Sequence, residues 1–186
     1  VSVSGTATRD SDYTTSATQI VIPAGELTGE ITVTSVPDSL DEPDETVTIE
    51  IALVTGGEIA GGSQQVTITI LDDDEPPIVD LSLDTASIPE SGGSATATAT
   101  LSVTSGQDVT VDLATGGAAT SGTDYTLTAT QLVIPAGESS VSTTIASVDD
   151  PTDEPDETIE LTVSATNATP GVAAQALTII DDDDPP

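Results

Sequence analysis

The sequence predicts an all-β protein: tandem immunoglobulin-like β-sandwiches, the first lacking its N-terminal strands. Three observations carry this. Apolar residues alternate with Thr, Ser or acidic residues in short runs, no segment has helical periodicity, and a long internal repeat divides the chain. Strict alternation places one face of each strand in a core and the other in water.

The strands can be taken in order. Val47, Ile49, Ile51 and Leu53 alternate with Thr48, Glu50 and Ala52. Val66, Ile68 and Ile70 close the first half. In 95–103 (ATATATLSV) the odd positions are apolar and the rest Thr or Ser, which is ordinary strand filling rather than a dedicated binding face. Val109, Val111 and Leu113 follow, and Ile159, Leu161 and Val163 repeat the pattern of 47–53. Pro-Ala-Gly at 23–25 and 135–137 suits a type I turn with Pro second and Gly fourth. About seven short strands in a unit of this size match an immunoglobulin-like sandwich.

The repeat sets the boundaries. DYTTSATQIVIPAGE at 12–26 recurs as DYTLTATQLVIPAGE at 124–138, and SVPDSLDEPDET at 35–46 recurs as SVDDPTDEPDET at 147–158. ITILDDDEPP at 68–77 recurs as LTIIDDDDPP at 177–186. The domains are therefore 1–77, an incomplete unit, and 78–186, a full one. Val1 aligns near Leu113, so 1–77 holds no counterpart of 78–112, a stretch expected to supply two strands. Either the unit is cut from a longer array, or another chain supplies those strands by strand addition.

Composition excludes much chemistry. The 186 residues include 33 Asp plus Glu, one basic residue (Arg9), and no His or Cys, for a net charge of −32. There is accordingly no thiol nucleophile, no Ser-His-Asp triad and no ordinary zinc or haem site. Without Lys there is no Schiff base or P-loop lysine. So negative a surface repels nucleic acid and anionic lipid, and no apolar run is long enough for direct membrane insertion. High charge with few aromatics also marks disorder, but 35% hydrophobic residues and clustered charge favour a folded chain. A two-carboxylate glycosidase is disfavoured, because no Trp or Phe is present to stack a sugar. Tyr13 and Tyr125 read as core tyrosines, Arg9 as a surface ion-pair partner, and Asn167-Ala168-Thr169 as a lone N-glycosylation sequon.

Most carboxylates sit in four loop clusters: 38–45, 72–75, 149–157 and 181–184. One cluster of each unit precedes the strand at 46–53 or 158–163, and the other follows the unit's last strand. If those two strands pair antiparallel, both clusters meet at one end of the sandwich. Two like charges about 4 Å apart cost about 4 kcal/mol at an effective dielectric of about 20. Either the pKa values rise or a cation sits between them. A flexible all-oxygen site suits Ca²⁺ better than Mg²⁺, which prefers few carboxylates and keeps its waters. Solvated surface charge would not recur at equivalent places.

The runs GTDYTLTATQLVIPAGESS, SVDDPTDEPDETIELTV and LTIIDDDD resemble a Calx-beta domain, the calcium-binding sandwich of sodium–calcium exchangers, the integrin beta-4 subunit and many large bacterial surface proteins. The resemblance covers nearly all of both units. It implies Ca²⁺ ligands at Glu90, Asp124, Asp149, Asp150, Glu154, Glu157, Asp181, Asp182 and Asp183 in the second unit. In the first it implies Asp12, Asp38, Glu42, Glu45, Asp72, Asp73 and Asp74. Pro37 stands where the second unit has Asp149, and Glu90 has no counterpart, so the first site is two ligands short.

The functional expectation is a non-enzymatic, calcium-stiffened structural repeat of an extracellular adhesin, fibre or cell-surface protein. Its partners are neighbouring repeats of the same array and an unidentified adhesion ligand. The alternatives are a calcium-sensing regulatory domain of a larger membrane protein, and a filament subunit completed by strand exchange between like chains. The EPPI segment at 75–78 is short and Pro-bearing, which makes it stiff.

Overall fold

A computed structural model describes every residue except 60, 63, 185 and 186. The fold is all-β, and the chain divides into two compact units, Val1–Asp74 and Glu75–Pro186.

In the second unit, ten strands form two five-stranded sheets. They are β6 (Ile78–Leu83), β7 (Ser87–Pro89), β8 (Ser94–Leu101), β9 (Val109–Gly117) and β10 (Tyr125–Leu127), then β11 (Gln131–Ile134), β12 (Ser140–Ser147), β13 (Glu157–Thr166), β14 (Thr169–Pro170) and β15 (Ala174–Ile180). One sheet has the order β10-β12-β8-β6-β14 and the other β11-β9-β13-β15-β7. Alternation dictates the packing. Ala95, Ala97, Ala99 and Leu101 of β8 turn inward, as do Ile159, Leu161 and Val163 of β13, and the Thr residues between the alanines point away. Tyr125 is buried in the same core.

The first unit carries the same elements where its sequence has them. Its strands are β1 (Ser2–Gly5), β2 (Tyr13–Thr15), β3 (Val33–Ser35), β4 (Glu45–Glu50) and β5 (Gln65–Ile70). The sheet β1-β4-β5 matches β9-β13-β15, and the β2–β3 pair matches β10–β12. Its core is small: Tyr13, Val47 and Ile49, with Val1, Val3, Ala7, Ile31, Val33 and Ile70 half-covered around them.

Three expectations change. The stretch 78–112 holds β6, β7, β8 and the first half of β9, more than two strands. The alternation at 51–53 does not extend β4, which ends at Glu50, opposite Ser2 of β1. Its counterpart β13 runs on to Thr166 because Thr110–Leu113 of β9 pair with it there. Finally, the Pro-Ala-Gly turns are closed by Glu26 N donating to Pro23 O (3.0 Å) and Glu138 N donating to Pro135 O (2.9 Å). Pro is first and Gly third, with φ of +94° and +83°, the pattern of a type II turn.

Gly117 shows what the close β9–β13 approach requires. It has φ +102°, and a Cβ there would run into the Thr158 carbonyl. Gly5 repeats this against Thr46. Gly117→Ala should therefore destabilise the second unit by on the order of 1–3 kcal/mol from the backbone alone, lowering its melting temperature by roughly 5–15 °C. Gly116→Ala, with open space around it, should change little. Circular dichroism melting of both variants checks the contrast.

Candidate metal centre

The site grows out of strand register. β4 pairs antiparallel with β5, Glu45 opposite Ile70. β13 pairs antiparallel with β15, Glu157 opposite Ile179. The loop entering one strand thus meets the loop leaving the other. Two backbone bonds fasten the meeting: Asp72 N donates to Asp44 Oδ1 (3.0 Å) and Asp181 N to Asp156 Oδ1 (3.3 Å). Asp44 and Asp156 clamp the loops and were not among the expected ligands. Their signal in the sequence was the second Asp of DEPDE, which recurs in both units.

Each expected ligand has a defined place. The Asp after the β1 or β9 turn is held by backbone: Thr8 N donates to Asp12 Oδ2, and Thr120 N donates to Asp124 Oδ2 (2.5 Å). Asp38 and Asp150 close equivalent short turns, accepting from Leu40 N (2.8 Å) and Thr152 N (2.9 Å). Asp12, Glu42 and Glu45 bring carboxylate oxygens within 4.8 Å of one another. With Asp38, Asp72, Asp73 and Asp74 they line one cavity of about 630 Å³, so all seven expected residues of the first unit face it.

In the second unit Glu90, Asp181 and Asp183 converge within 4.8 Å. Glu90, Asp124, Glu154, Glu157 and Asp181 line a recess of only about 10 Å³. Asp149 and Asp150 act on Asp183 through their charge. Asp182 lies at the edge, where its Oδ1 accepts from Ser91 N at 3.3 Å.

Electrostatics agree with the geometry. Burial pushes Glu45 up to about 7, helped by a carboxyl–carboxyl hydrogen bond with Asp12 and by the charges of Asp12 and Glu42. Burial likewise raises Glu157, with a hydrogen bond to Asp124 and the charges of Asp124 and Glu154 adding to it. Such a pair needs a shared proton or a cation. Glu90, itself buried, rises to about 7 through burial, a hydrogen bond with Asp181 and the charges of Asp181, Asp150 and Asp183. Burial and then the charges of Asp12, Asp38, Asp72 and Asp74 raise Glu42. No protein cation relieves this. The only basic side chain, Arg9, sits 4.0 Å from Asp10 on the surface.

The donor set is all carboxylate oxygen, from loops and from the first residues of β4 and β13, which fits a hard divalent cation. Two groupings are distinguishable. One is Asp–Glu–Glu (Asp12, Glu42, Glu45, repeated as Asp124, Glu154, Glu157), and the other is Glu90 with the terminal aspartates.

Asn167, on a tight turn at φ +64°, donates its Nδ2 to Asp108 O (3.0 Å), so the sequon nitrogen is engaged.

Paired strand register, a sandwich core and acidic loops gathered at one end define a tandem β-sandwich module with carboxylate-lined tips. The chain belongs to the Calx-beta family, whose domain model matches residues 1–74 and 72–184. Among solved structures, CBD12 from CALX1.2 aligns at 20% identity and a TM-score of 0.50, over 57% of this chain and 45% of that one. The apo-form Calx CBD1 domain aligns at 20% identity and a TM-score of 0.50, over 59% of this chain and 100% of that one. This chain thus covers less than half of the CALX1.2 structure. No curated protein matches the sequence.

The pKa shifts give a pH prediction for the metal-free protein. Below about 4.5, the ordinary Glu value, folded and unfolded chains both hold these protons. Between that value and about 7 the folded chain holds protons on Glu45 and Glu90 that the unfolded chain releases. Stability therefore falls as pH rises through this window. Calorimetry in chelator should show melting temperature dropping from pH 5 to pH 8; a flat or rising curve contradicts the reading.

Proposed function

We propose that this chain is a calcium-binding structural repeat of an extracellular or cell-surface protein, an adhesin or fibre, in which Ca²⁺ stiffens the array. One observation carries the reading. Half-buried carboxyl pairs, Asp12–Glu45 and Asp124–Glu157, recur in equivalent positions, surrounded by further carboxylates and with no basic side chain to offset them. Once these protons are lost, a divalent ion between the oxygens relieves the repulsion.

Ca²⁺ takes about six to eight oxygens in flexible geometry, which these loops can supply, whereas Mg²⁺ needs about six at shorter, stricter distances. Glu90, Asp124, Asp149, Asp150, Glu154, Glu157, Asp181 and Asp183 are the ligands in the second unit, with Asp182 at the rim. Asp12, Asp38, Glu42, Glu45 and Asp72–Asp74 serve the first. When bound, the ion replaces the shared protons and ties the loop before β4 or β13 to the end of β5 or β15. In the first unit that end leads directly into Glu75-Pro76-Pro77, so binding also stiffens the connection to the next repeat. A role without catalysis is the reading that membership of the Calx-beta family supports.

The second reading is a calcium-sensing regulatory domain of a larger membrane protein, as the family's exchanger members suggest. Affinity separates the two, since extracellular structural sites bind in the range of about 10⁻⁴–10⁻³ M and sensors in about 10⁻⁷–10⁻⁵ M.

Thermal melting during Ca²⁺ titration should show a large rise in melting temperature, and Mg²⁺ a smaller one. Glu157→Gln should remove much of the second unit's rise. No shift with either ion would defeat the assignment. Small-angle scattering with Ca²⁺ and with chelator tests the stiffening: the flexible signature should be confined to the chelated sample.

A further inference from the structure

The DEPDE motif sets an Asp between two expected ligands in each unit: Asp44 between Glu42 and Glu45, and Asp156 between Glu154 and Glu157. Neither Asp belongs to the ligand set that the resemblance implies. Both are exposed, and neither lines the cavity or recess of its unit. Each points elsewhere. Asp44 Oδ1 accepts from Asp72 N at 3.0 Å, and Asp156 Oδ1 accepts from Asp181 N at 3.3 Å. These amides belong to the first residue of the acidic run that follows β5 or β15.

The local chain explains why a side chain does this. Carried past Glu45–Ile70 and Glu157–Ile179, the antiparallel register would set Asp72 opposite Pro43 and Asp181 opposite Pro155. A proline has no N–H with which to continue the exchange of ladder bonds. The Asp after each Pro supplies an acceptor from its side chain instead. A carboxylate accepting a backbone N–H makes a charge-assisted bond, stronger than a neutral one. In the second unit the tie is returned, since Glu154 N donates to Asp181 Oδ1 (3.3 Å). One short connection thus joins the two segments that carry the site: Glu154 and Glu157 on one side, Asp181 and Asp183 on the other. In the first unit it joins Glu42 and Glu45 to Asp72 and Asp74.

We propose that Asp44 and Asp156 are positioning residues for the metal, which bind no ion themselves but lock the terminal aspartates against the Glu-bearing loop before the ion arrives. This rests on the calcium reading above. Without the tie, two like-charged segments separate, and an ion must draw them together as it binds, which weakens binding. Removing a group that orients metal ligands typically costs about 10–100-fold in metal affinity.

Calorimetric Ca²⁺ titration of the full chain compares Asp156→Ala, Asp156→Asn and Asp153→Ala with the unaltered sequence. Backbone NMR assigns each change to a unit and follows hydrogen exchange at Asp181 N in chelator. Asp156→Ala should weaken Ca²⁺ binding in the second unit by roughly tenfold or more and speed exchange at Asp181 N. Asp156→Asn keeps the acceptor oxygen without the charge, so it should restore binding to within about threefold and keep the amide protected. Asp153 is exposed on the same loop and outside the tie, so Asp153→Ala should stay within about threefold as well. Asp44→Ala and Asp44→Asn should repeat the contrast in the first unit, read at Asp72 N. A loss in Asp156→Asn as deep as in Asp156→Ala would make Asp156 a ligand or a mere charge, and overturn the proposal. So would an equal loss in Asp153→Ala, or an Asp181 amide that exchanges no faster in Asp156→Ala. A lower melting temperature for Asp156→Ala in chelator, with Ca²⁺ affinity intact, would make the tie purely structural and refute this inference while the calcium reading stands. Absence of Ca²⁺ binding by the unaltered chain would bring down both.

Discussion

Repulsion between carboxylates at the strand ends governs this molecule. It is imposed by the sheet, not by the loops. Once Glu45 lies opposite Ile70 and Glu157 opposite Ile179, the acidic segment before one strand and the acidic segment after the other occupy the same space. The same register that buries Val47, Ile159 and Leu177 therefore concentrates negative charge. Favourable apolar burial and unfavourable electrostatics are two consequences of one pairing, and neither can be relaxed without loosening the other.

The units also show that burial belongs to the partner as much as to the residue. Ile22 and Ile134 end nearly identical sequences, IVI and LVI before Pro-Ala-Gly. Ile134 is covered because β11 pairs with Val109–Asp112 of β9. The 20–22 segment forms no strand among the described residues, although its alternation and β-branched content are at least as good; the counterparts of Val109–Asp112 would fall before Val1. Likewise β12 runs for eight residues beside β8, while its counterpart β3 is three residues long.

Much of this was legible in the sequence. Alternation located the central strands, and the repeat matched the units residue by residue. Clustering of acids beside strands identified the tips. Other features depend on non-local pairing that a one-dimensional pattern does not encode. β4 ends at Glu50, opposite Ser2 of β1, although the alternation continues through Ile51 and Leu53. β7 is three residues with a Pro, too short for any alternation to register, yet it places Ile88 and Glu90. The clamps at Asp44 and Asp156 looked like two more acids in a cluster. Only the backbone N–H groups of Asp72 and Asp181 distinguish them.

The charge balance decides what kind of stability such a fold can have. A sandwich tip could offset its carboxylates with lysines or arginines, and the fold would then carry its counter-charges everywhere. This chain has one Arg, on the surface beside Asp10, so compensation must come from solution. Protons can supply it only while Glu45 and Glu90 remain below their raised pKa values of about 7. Above that, the proposed divalent ion would offset the charge of half-buried pairs, which diffuse monovalent salt screens less well than fully exposed ones. Glu90 makes the dependence structural. It stands at the end of β7, which closes the edge of β15, so a carboxyl crowded by other carboxylates also anchors the strand that seals the core.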